Sequence, residues 1–113
     1  MVKSRRVHVL NSRRAFQRLQ KSGNRARSKN LSLVYRIDDS QGTVKVAYSI
    51  GKRVGTAVVR NKVKRRLRSL VEEYSCQMPC GDYLVIVSPR AVERDFEELR
   101  SELREVLPLK GKQ

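Results

Sequence analysis

The sequence predicts an α+β fold, a small α-β sandwich, and two observations lead to it. Apolar residues alternate along two short segments and recur at a period near 3.6 residues along two longer ones. The predicted elements follow the order α-β-β-α-β-α, with a further short β segment expected around residues 50–55. A chain of 113 residues with 39% hydrophobic content suits one core. We therefore expect a single domain over residues 1–113, with residues 1–8 and 109–113 as flexible tails.

The first half of the chain predicts one helix and two strands. Ser12 is typical of a helix N-cap, and we expect the helix to cover Arg13–Lys21 before a Ser-Gly-Asn segment ends it. The β-branched and aromatic content of Leu31–Ile37 indicates a strand, and a second strand covers Thr43–Ile50. Because only the turn-forming residues 38–42 separate these two strands, we expect them to pair as an antiparallel hairpin.

The second half predicts a long helix, a strand and a final helix. A basic loop between two glycines, residues 51–55, precedes Thr56, a candidate N-cap for a helix over Ala57–Tyr74. The apolar stripe of this helix is Val59, Val63, Leu67, Leu70, Val71 and Tyr74. The third strand covers Asp82–Ser88, and the last helix starts near Ser88-Pro89 and ends near Pro108. The stripe of the last helix is Val92, Phe96, Leu99, Leu103 and Val106.

The charge of the chain is large and unevenly distributed. The formal net charge is +15, and residues 1–71 hold twenty Lys and Arg against two Asp. Residues 72–113 hold six Lys and Arg against nine Asp and Glu. Such asymmetry places a strong positive field on one side of the fold, which suits a polyanion. In a small domain this favours nucleic acid as the partner.

A membrane is the other polyanion to consider, and the sequence argues against it. No apolar stretch is long enough to span a bilayer, and no secretory apolar segment follows the basic N-terminus. The longest apolar run, Leu84–Val87, fits a buried strand. We therefore expect a soluble, cytoplasmic protein without a membrane partner.

Metal binding is also not expected. Cys76 and Cys80 are the only cysteines, and His8 is the only histidine. A structural zinc site requires four ligands, so this set is too small and too scattered. We expect two free thiols in or beside a loop.

The basic segment 60–68, RNKVKRRLR, has two distinct faces when it is placed on a helix. With the apolar stripe toward the core, Asn61, Arg65 and Arg68 lie within about sixty degrees of one another on the opposite side. Lys64 borders them on one side, and Lys62 and Arg66 border them on the other. The alternative interpretation is a solvated amphipathic helix with no ligand. The absence of any acidic residue from 40 to 71 favours a phosphate-binding surface instead.

The segment VAYSIGKRVGTAVVRNKVKRRLR, residues 46–68, resembles the signature of the protein subunit of bacterial ribonuclease P. In that family a glycine-bracketed basic loop leads into A-V-x-R-N-x-x-K-R-x-x-R. The matching positions are Ala57, Val58, Arg60, Asn61, Lys64, Arg65 and Arg68. A helix with a phenylalanine, Phe16, and a strand that ends in an aromatic, Tyr35, fit the wider pattern. The resemblance covers roughly residues 9 to 107.

The resemblance implies a ribonucleoprotein that removes the 5′ leader from precursor tRNA. The RNA subunit, with Mg²⁺, performs the hydrolysis, so no catalytic residue and no metal ligand are expected in this chain. The implied partners are the catalytic RNA subunit and precursor tRNA, with no protein homo-oligomer required. The family fold also implies a left-handed βαβ crossover around the basic helix, against the usual right-handed rule.

The resemblance also assigns residues to two RNA-binding surfaces. The residues implied to contact the RNA subunit are Arg60, Asn61, Lys64, Arg65 and Arg68. Those implied to bind the leader are Phe16, Leu33 and Tyr35, with Lys52 and Arg53 at the edge of the cleft. Stacking on aromatic side chains and a positive groove are how proteins hold single-stranded RNA without a sequence code. Plain core packing is the alternative for Phe16, and Gln20 stands where the family often has a second aromatic.

Two other classes of nucleic-acid-binding protein share this composition. A ribosomal or other rRNA-binding protein would be equally basic, and the placement of the signature helix between a hairpin and a further strand argues against it. A DNA-binding protein is less favoured, because the sequence contains neither dimerisation heptads nor a helix-turn-helix pair. The identity of the RNA that copurifies with the protein distinguishes the first two classes.

Overall fold

A computed structural model describes residues 6–89 and 96–110 of the chain, which form a mixed sheet with three α-helices. The strands are β1 (Val7–Val9), β2 (Asn24–Arg27), β3 (Leu31–Ile37), β4 (Val44–Ile50) and β5 (Gly81–Val87). The helices are α1 (Arg13–Ser22), α2 (Ala57–Tyr74) and α3 (Phe96–Val106). The α+β class and the order of the predicted helices and strands are confirmed, and two short strands, β1 and β2, are additional.

The predicted hairpin between β3 and β4 is wrong, because β5 lies between them. The order across the sheet is β1-β4-β5-β3-β2. β5 runs antiparallel to β3 and parallel to β4. The run Leu84–Val87 is apolar at every position, so β5 needs cover on both faces and occupies the centre of the sheet. The short connection between β3 and β4 would allow a hairpin. They do not pair, because β5 must be buried on both faces and therefore lies between them.

The start of β5 shows how it enters between the two strands. Gly81 N–H donates to the carbonyl of Thr43 at 2.9 Å, and Asp38 N–H donates to the carbonyl of Cys80 at 2.8 Å. Gly81 has φ +152°, and a Cβ there would lie 2.2 Å from the Arg36 carbonyl oxygen. Only glycine fits this close approach of backbones, which fixes the point where β5 begins.

β4, α2 and β5 form a parallel βαβ unit around the basic helix. Thr56 caps α2 as predicted, since its Oγ1 accepts a hydrogen bond from Val59 N–H at 3.4 Å. Ser12 caps α1 in the same way. The handedness implied for this crossover stays a prediction. Residues 50–55 do not form the further β segment that the sequence suggested, because Lys52–Val54 is a single 3₁₀ turn.

Two segments predicted as parts of tails belong to the fold. Val7 and His8 lie in β1, which pairs in parallel with the outer side of β4 and so satisfies its backbone groups. At the other end Leu109 is buried in the core, and Lys110 N–H donates to the carbonyl of Gln77 at 2.8 Å. The tail prediction is therefore wrong for these residues. Residues 1–5 and 111–113 lie outside the described residues.

The two faces of the sheet carry two apolar clusters. On one face α2 and α3 pack against alternate side chains of β3, β4 and β5, and this cluster is the larger one. On the other face Ala15 and Leu19 of α1 pack with Leu10 and with Val34 of β3. Leu99, Leu103 and Val106 are buried as predicted for the last helix. The predicted start of that helix, Val92 and the side chain of Phe96 fall outside the described residues.

Glu102 on α3 fastens the turn between β2 and β3. Its carboxylate accepts hydrogen bonds from Ser28 Oγ at 2.9 Å, Asn30 N–H at 2.5 Å and Asn30 Nδ2 at 2.9 Å. Ser28 and Asn30 are buried polar residues, so these bonds satisfy donors that water does not reach.

We expect Glu102→Ala to lower the free energy of unfolding by about 2 kcal/mol, because it leaves buried donors without an acceptor. Glu97→Ala on the same helix is the matched control. Its exposed pair with Arg100 predicts a change within about 0.5 kcal/mol. Urea unfolding followed by circular dichroism measures both, and equal midpoints for the two variants would contradict this role for Glu102.

Candidate nucleic-acid interface

The long helix α2 presents an apolar face to the core and a cationic face outward. Val63, Leu67, Leu70 and Val71 are buried. On the opposite side Asn61, Lys62, Arg65 and Arg68 are exposed, and Lys64 and Arg66 are half-buried. The two-faced layout predicted from the helical period is confirmed. We call the outward set Asn61, Lys64, Arg65 and Arg68 the cationic ridge.

The five residues predicted to contact an RNA subunit lie together on this side of the molecule. A groove of about 410 Å³ is lined by Val58 and the four residues of the cationic ridge. A second groove of about 220 Å³ is lined by Tyr48, Ile50, Ala57, Arg60, Asn61 and Lys64. Because Asn61 and Lys64 line both grooves, the five residues form one continuous surface.

Arg60 is distinct from the other cations of α2. It is half-buried, and its Nε is shielded from solvent with no hydrogen-bond partner in the part of the chain that the structure describes. A buried guanidinium N–H without an acceptor is costly, and Arg60 lines an open groove. This arrangement suits an incoming anionic or carbonyl acceptor, such as a phosphate oxygen.

Tyr48 lies beneath the ridge on β4. Burial raises the pKa of its phenol above the usual range, with Arg68 lowering and Glu72 raising this pKa to a smaller extent. The hydroxyl therefore stays neutral at physiological pH and is available as a hydrogen-bond donor. Tyr48, Arg68 and Glu72 line one pocket, so the ring lies near the junction of cationic and acidic side chains on α2.

Phe16 lies on the opposite face of the sheet, on α1. It is half-buried and packs against the smaller cluster, together with Ala47, Leu84 and Ile86 of the sheet, which are also half-buried. These four side chains form a partly exposed apolar floor beside α1. Phe16 is thus neither a fully buried core residue nor a free surface aromatic. Gln20, one turn later, is exposed.

The structure does not bring Leu33 and Tyr35 together with Phe16. Both side chains point to the α2 and α3 face of the sheet, where Leu33 has an exposed fraction of 0%. Tyr35 stacks on Tyr83, with ring centroids 6.0 Å apart. A side chain on one face of a sheet cannot share a cleft with a residue on the other face, so the assignment of Leu33 and Tyr35 to a cleft with Phe16 is wrong. Val34 is the β3 residue that packs against the α1 cluster.

A groove of about 330 Å³ lies along β2 and β3. The residues around it are Arg25, Ala26, Arg27, Ser32, Leu33, Val34 and Ile86. Arg25 pairs across the strands with Val34, and Arg27 pairs with Ser32, so two exposed cations lie on the same face as α1. Sequence reasoning missed this groove, because it treated residues 25–29 as a loop. The alternation of Arg25 and Arg27, close before the predicted strand, was the sequence pattern that could have indicated it.

Lys52 and Arg53 are exposed on the 3₁₀ turn that joins β4 to α2. Val54 of the same turn is buried and anchors it to the core. Lys52 and Arg53 lie just before α2, which carries the cationic ridge.

The remaining candidate groups form no site of their own. Cys76 and Cys80 are both half-buried. Within residues 6–89 and 96–110, no three His, Cys, Asp or Glu side chains come close enough together to hold a metal ion. No helix in the described ranges has the length and apolar character needed to cross a membrane.

Comparison with known protein sequences identifies the family. The sequence model of the Ribonuclease P family matches residues 5–109. The "Ribonuclease P protein component" of Streptococcus pyogenes (strain Manfredo) is 32% identical over 94 residues, which are 83% of this chain and 78% of that protein. The protein of the same name from Thermus thermophilus is 43% identical over 86 residues. That match covers 76% of this chain and 49% of the Thermus protein, so it spans about half of that relative.

Comparison with solved structures finds proteins of the same family. The RNase P protein of Thermotoga maritima superposes with a TM-score of 0.73 at 25% identity, covering 86% of this chain and 92% of that one. The RNase P protein of Staphylococcus aureus superposes with a TM-score of 0.76 over 88% of this chain and 91% of that one. At 22% identity the latter likeness shows the shared fold. The extent of the family match and the identity to its members show that the chain belongs to the family of ribonuclease P protein components, which act in tRNA processing.

Proposed function

We propose that this protein binds the catalytic RNA subunit of ribonuclease P and the 5′ leader of precursor tRNA, and assists endonucleolytic removal of the leader. The observation that carries the proposal is the cationic ridge on α2, which lies at the positions of the family signature. Family membership supports a role as a subunit of a tRNA-processing ribonuclease. We propose that the protein acts in the cytoplasm, with the RNA subunit and precursor tRNA as its partners.

The RNA subunit is proposed to bind at the cationic ridge and Arg60. Four cations and one amide line two connected grooves there. Planar guanidinium groups grip phosphate oxygens in pairs, and the Asn61 amide can donate and accept at a ribose or base edge. The absence of acidic residues from 40 to 71 leaves the mutual repulsion of these cations uncompensated within that part of the sequence. Binding a phosphate backbone would relieve it.

The leader is proposed to lie on the other face of the sheet, beside α1. The apolar floor of Phe16, Ala47, Leu84 and Ile86 offers a surface for unpaired bases. Arg25 and Arg27 line the nearby groove and offer contacts to the backbone of the leader. Stacking plus a positive groove is the usual arrangement for single-stranded RNA. In this proposal the β3 side chains on the leader side are those of Ser32 and Val34, rather than those of Leu33 and Tyr35.

The hydrolysis is proposed to belong to the RNA subunit with Mg²⁺. A protein ribonuclease needs a general acid and base, or carboxylates grouped around a metal. Several of the described acids make structural bonds instead. Glu102 holds Ser28 and Asn30, Glu73 pairs with Arg100, and Asp82 accepts from Gln41. Asp38 accepts from Ser40, which lowers the pKa of its carboxyl.

We expect the double variant Arg65→Glu with Arg68→Glu to lose most of its affinity for the RNA subunit. Each lost phosphate contact should flatten the slope of log K against log salt by about 0.7–0.9. Unfolding should be unchanged, because both side chains are exposed. Filter binding at several salt concentrations measures the affinity and the slope. Arg104→Glu with Lys110→Glu is the control with the same change in charge. An equal loss of RNA affinity in this control would show that the effect comes from net charge and not from the position of the two arginines.

We expect Phe16→Ala to weaken binding of precursor tRNA to the holoenzyme by about 1–3 kcal/mol, the range for one base stacked on an aromatic. Mature tRNA lacks the leader, so its affinity should hardly change. A half-buried Phe also predicts a loss of stability below the roughly 3–5 kcal/mol of a fully buried one. Fluorescence titration of both RNAs and urea unfolding measure these quantities. Equal weakening for both RNAs would exclude Phe16 from the leader site.

We expect the protein alone to cleave nothing. Nuclease-treated, refolded protein is incubated with precursor tRNA and Mg²⁺, with and without added RNA subunit, and the products are resolved by gel electrophoresis. Specific release of the leader should require the RNA. Leader release by RNA-free protein would refute the assignment of the chemistry to the RNA subunit.

A further inference from the structure

A pocket of about 430 Å³ lies between β1, β4 and α2, on the far side of the cationic ridge from the Val58 groove. Lys64 and Arg68 line both this pocket and that groove. The volume lies in the range of sites that hold a small organic group. The pocket therefore continues the proposed RNA-binding surface toward the edge of the sheet.

The apolar side of this pocket includes a valine side chain that is mostly exposed to solvent. Val9, which belongs to β1 and lines the pocket, is 72% exposed. Few large apolar side chains in the described residues are as accessible, and Val58 in the neighbouring groove is another. Each of the two spaces that flank Lys64 and Arg68 thus contains one exposed valine. Apolar surface next to phosphate-binding cations suits the flat face of a base or a ribose.

The polar side of the pocket is formed by Tyr48 and Glu72. Both line it together with Arg68. Glu72 is exposed and lies one turn beyond Arg68 on α2. A carboxylate on an RNA-binding surface repels phosphate, so it lowers affinity unless it makes a bond of its own. A carboxylate accepts hydrogen bonds only, and the base groups that can supply them are amino and imino N–H groups.

We propose that this pocket takes one unpaired nucleotide of the bound RNA, with its phosphate on Lys64 and Arg68, its base against Val9 and Tyr48, and an exocyclic amino group of that base donating to Glu72. The inference rests on the proposed RNA-binding function and adds to it a specific base contact. Adenine, guanine and cytosine carry such an amino group, and uracil does not. Glu72 thereby favours a base with an exocyclic amino group at this one position of the interface.

The test uses the sign of the effect of Glu72→Ala on RNA affinity. Electrostatics alone predicts tighter binding, because the variant removes a negative charge from a phosphate-binding surface. A base contact predicts the opposite, a loss of about tenfold in affinity with an unchanged salt slope. Asp39→Ala, an exposed carboxylate on the turn before β4, is the control for net charge. Tighter or unchanged binding by Glu72→Ala would overturn the proposal.

A second measurement locates the nucleotide and does not depend on affinity alone. The RNA subunit, and separately the precursor tRNA, are transcribed with sparse nucleotide analogues that lack the exocyclic amino group, and RNA bound to the reconstituted holoenzyme is separated from unbound RNA. Wild-type protein should exclude the analogue at one or two neighbouring positions, and Glu72→Ala should accept it there. The RNA in which the signal occurs identifies the source of the nucleotide. Identical patterns for both proteins would refute the contact.

The two proposals fail in different ways. If Arg65→Glu with Arg68→Glu abolishes RNA binding while Glu72→Ala tightens it, the RNA-binding function stands and the base contact is excluded. If neither variant changes RNA affinity, the cationic ridge is not an RNA-binding surface and both proposals fall.

Discussion

The architecture depends on one constraint, that β5 is apolar on both of its faces. A strand with the run Leu84–Val87 has no side to present to water, so it lies at the centre of the sheet and requires cover above and below. α2 and α3 cover one face and α1 covers the other. Gly81 marks where this strand enters between its neighbours, since a Cβ would meet the Arg36 carbonyl. The two candidate RNA surfaces are therefore separated by the thickness of the sheet.

This separation has a consequence for charge. α2 packs one side against the core and leaves the other as an almost purely cationic surface, whose charges repel one another. The acidic residues lie mostly after residue 71, and two of them, Glu73 and Glu102, hold α3 to α2 and to the β2–β3 turn. These acids maintain the fold, and the cations of α2 face outward. Glu72 lies at the border of the two regions.

Much of the local structure could be predicted from the sequence, because caps and periodicity act over a few residues. Thr56, Ser12 and the stripe of Val63, Leu67 and Leu70 sufficed to place α1 and α2. The pairing of strands could not be predicted in this way, because it depends on which distant strand needs burial most. The cleft assignment failed for a related reason. Leu33 and Val34 are both apolar, so the sequence could not tell which of them faces α1.

The late position of β5 in the chain bears on how the protein is made. Leu31 pairs with Val87, and Val44 pairs with Gly81, so neither β3 nor β4 has its central neighbour until the ribosome has synthesised the chain beyond α2. Local helices form early, and distant strand pairs form only after a costly loop closure. The nascent chain thus carries its full set of α2 cations before the sheet that orients them is complete. A growing polypeptide of this kind presents its positive charge to cellular RNA before it has acquired its shape.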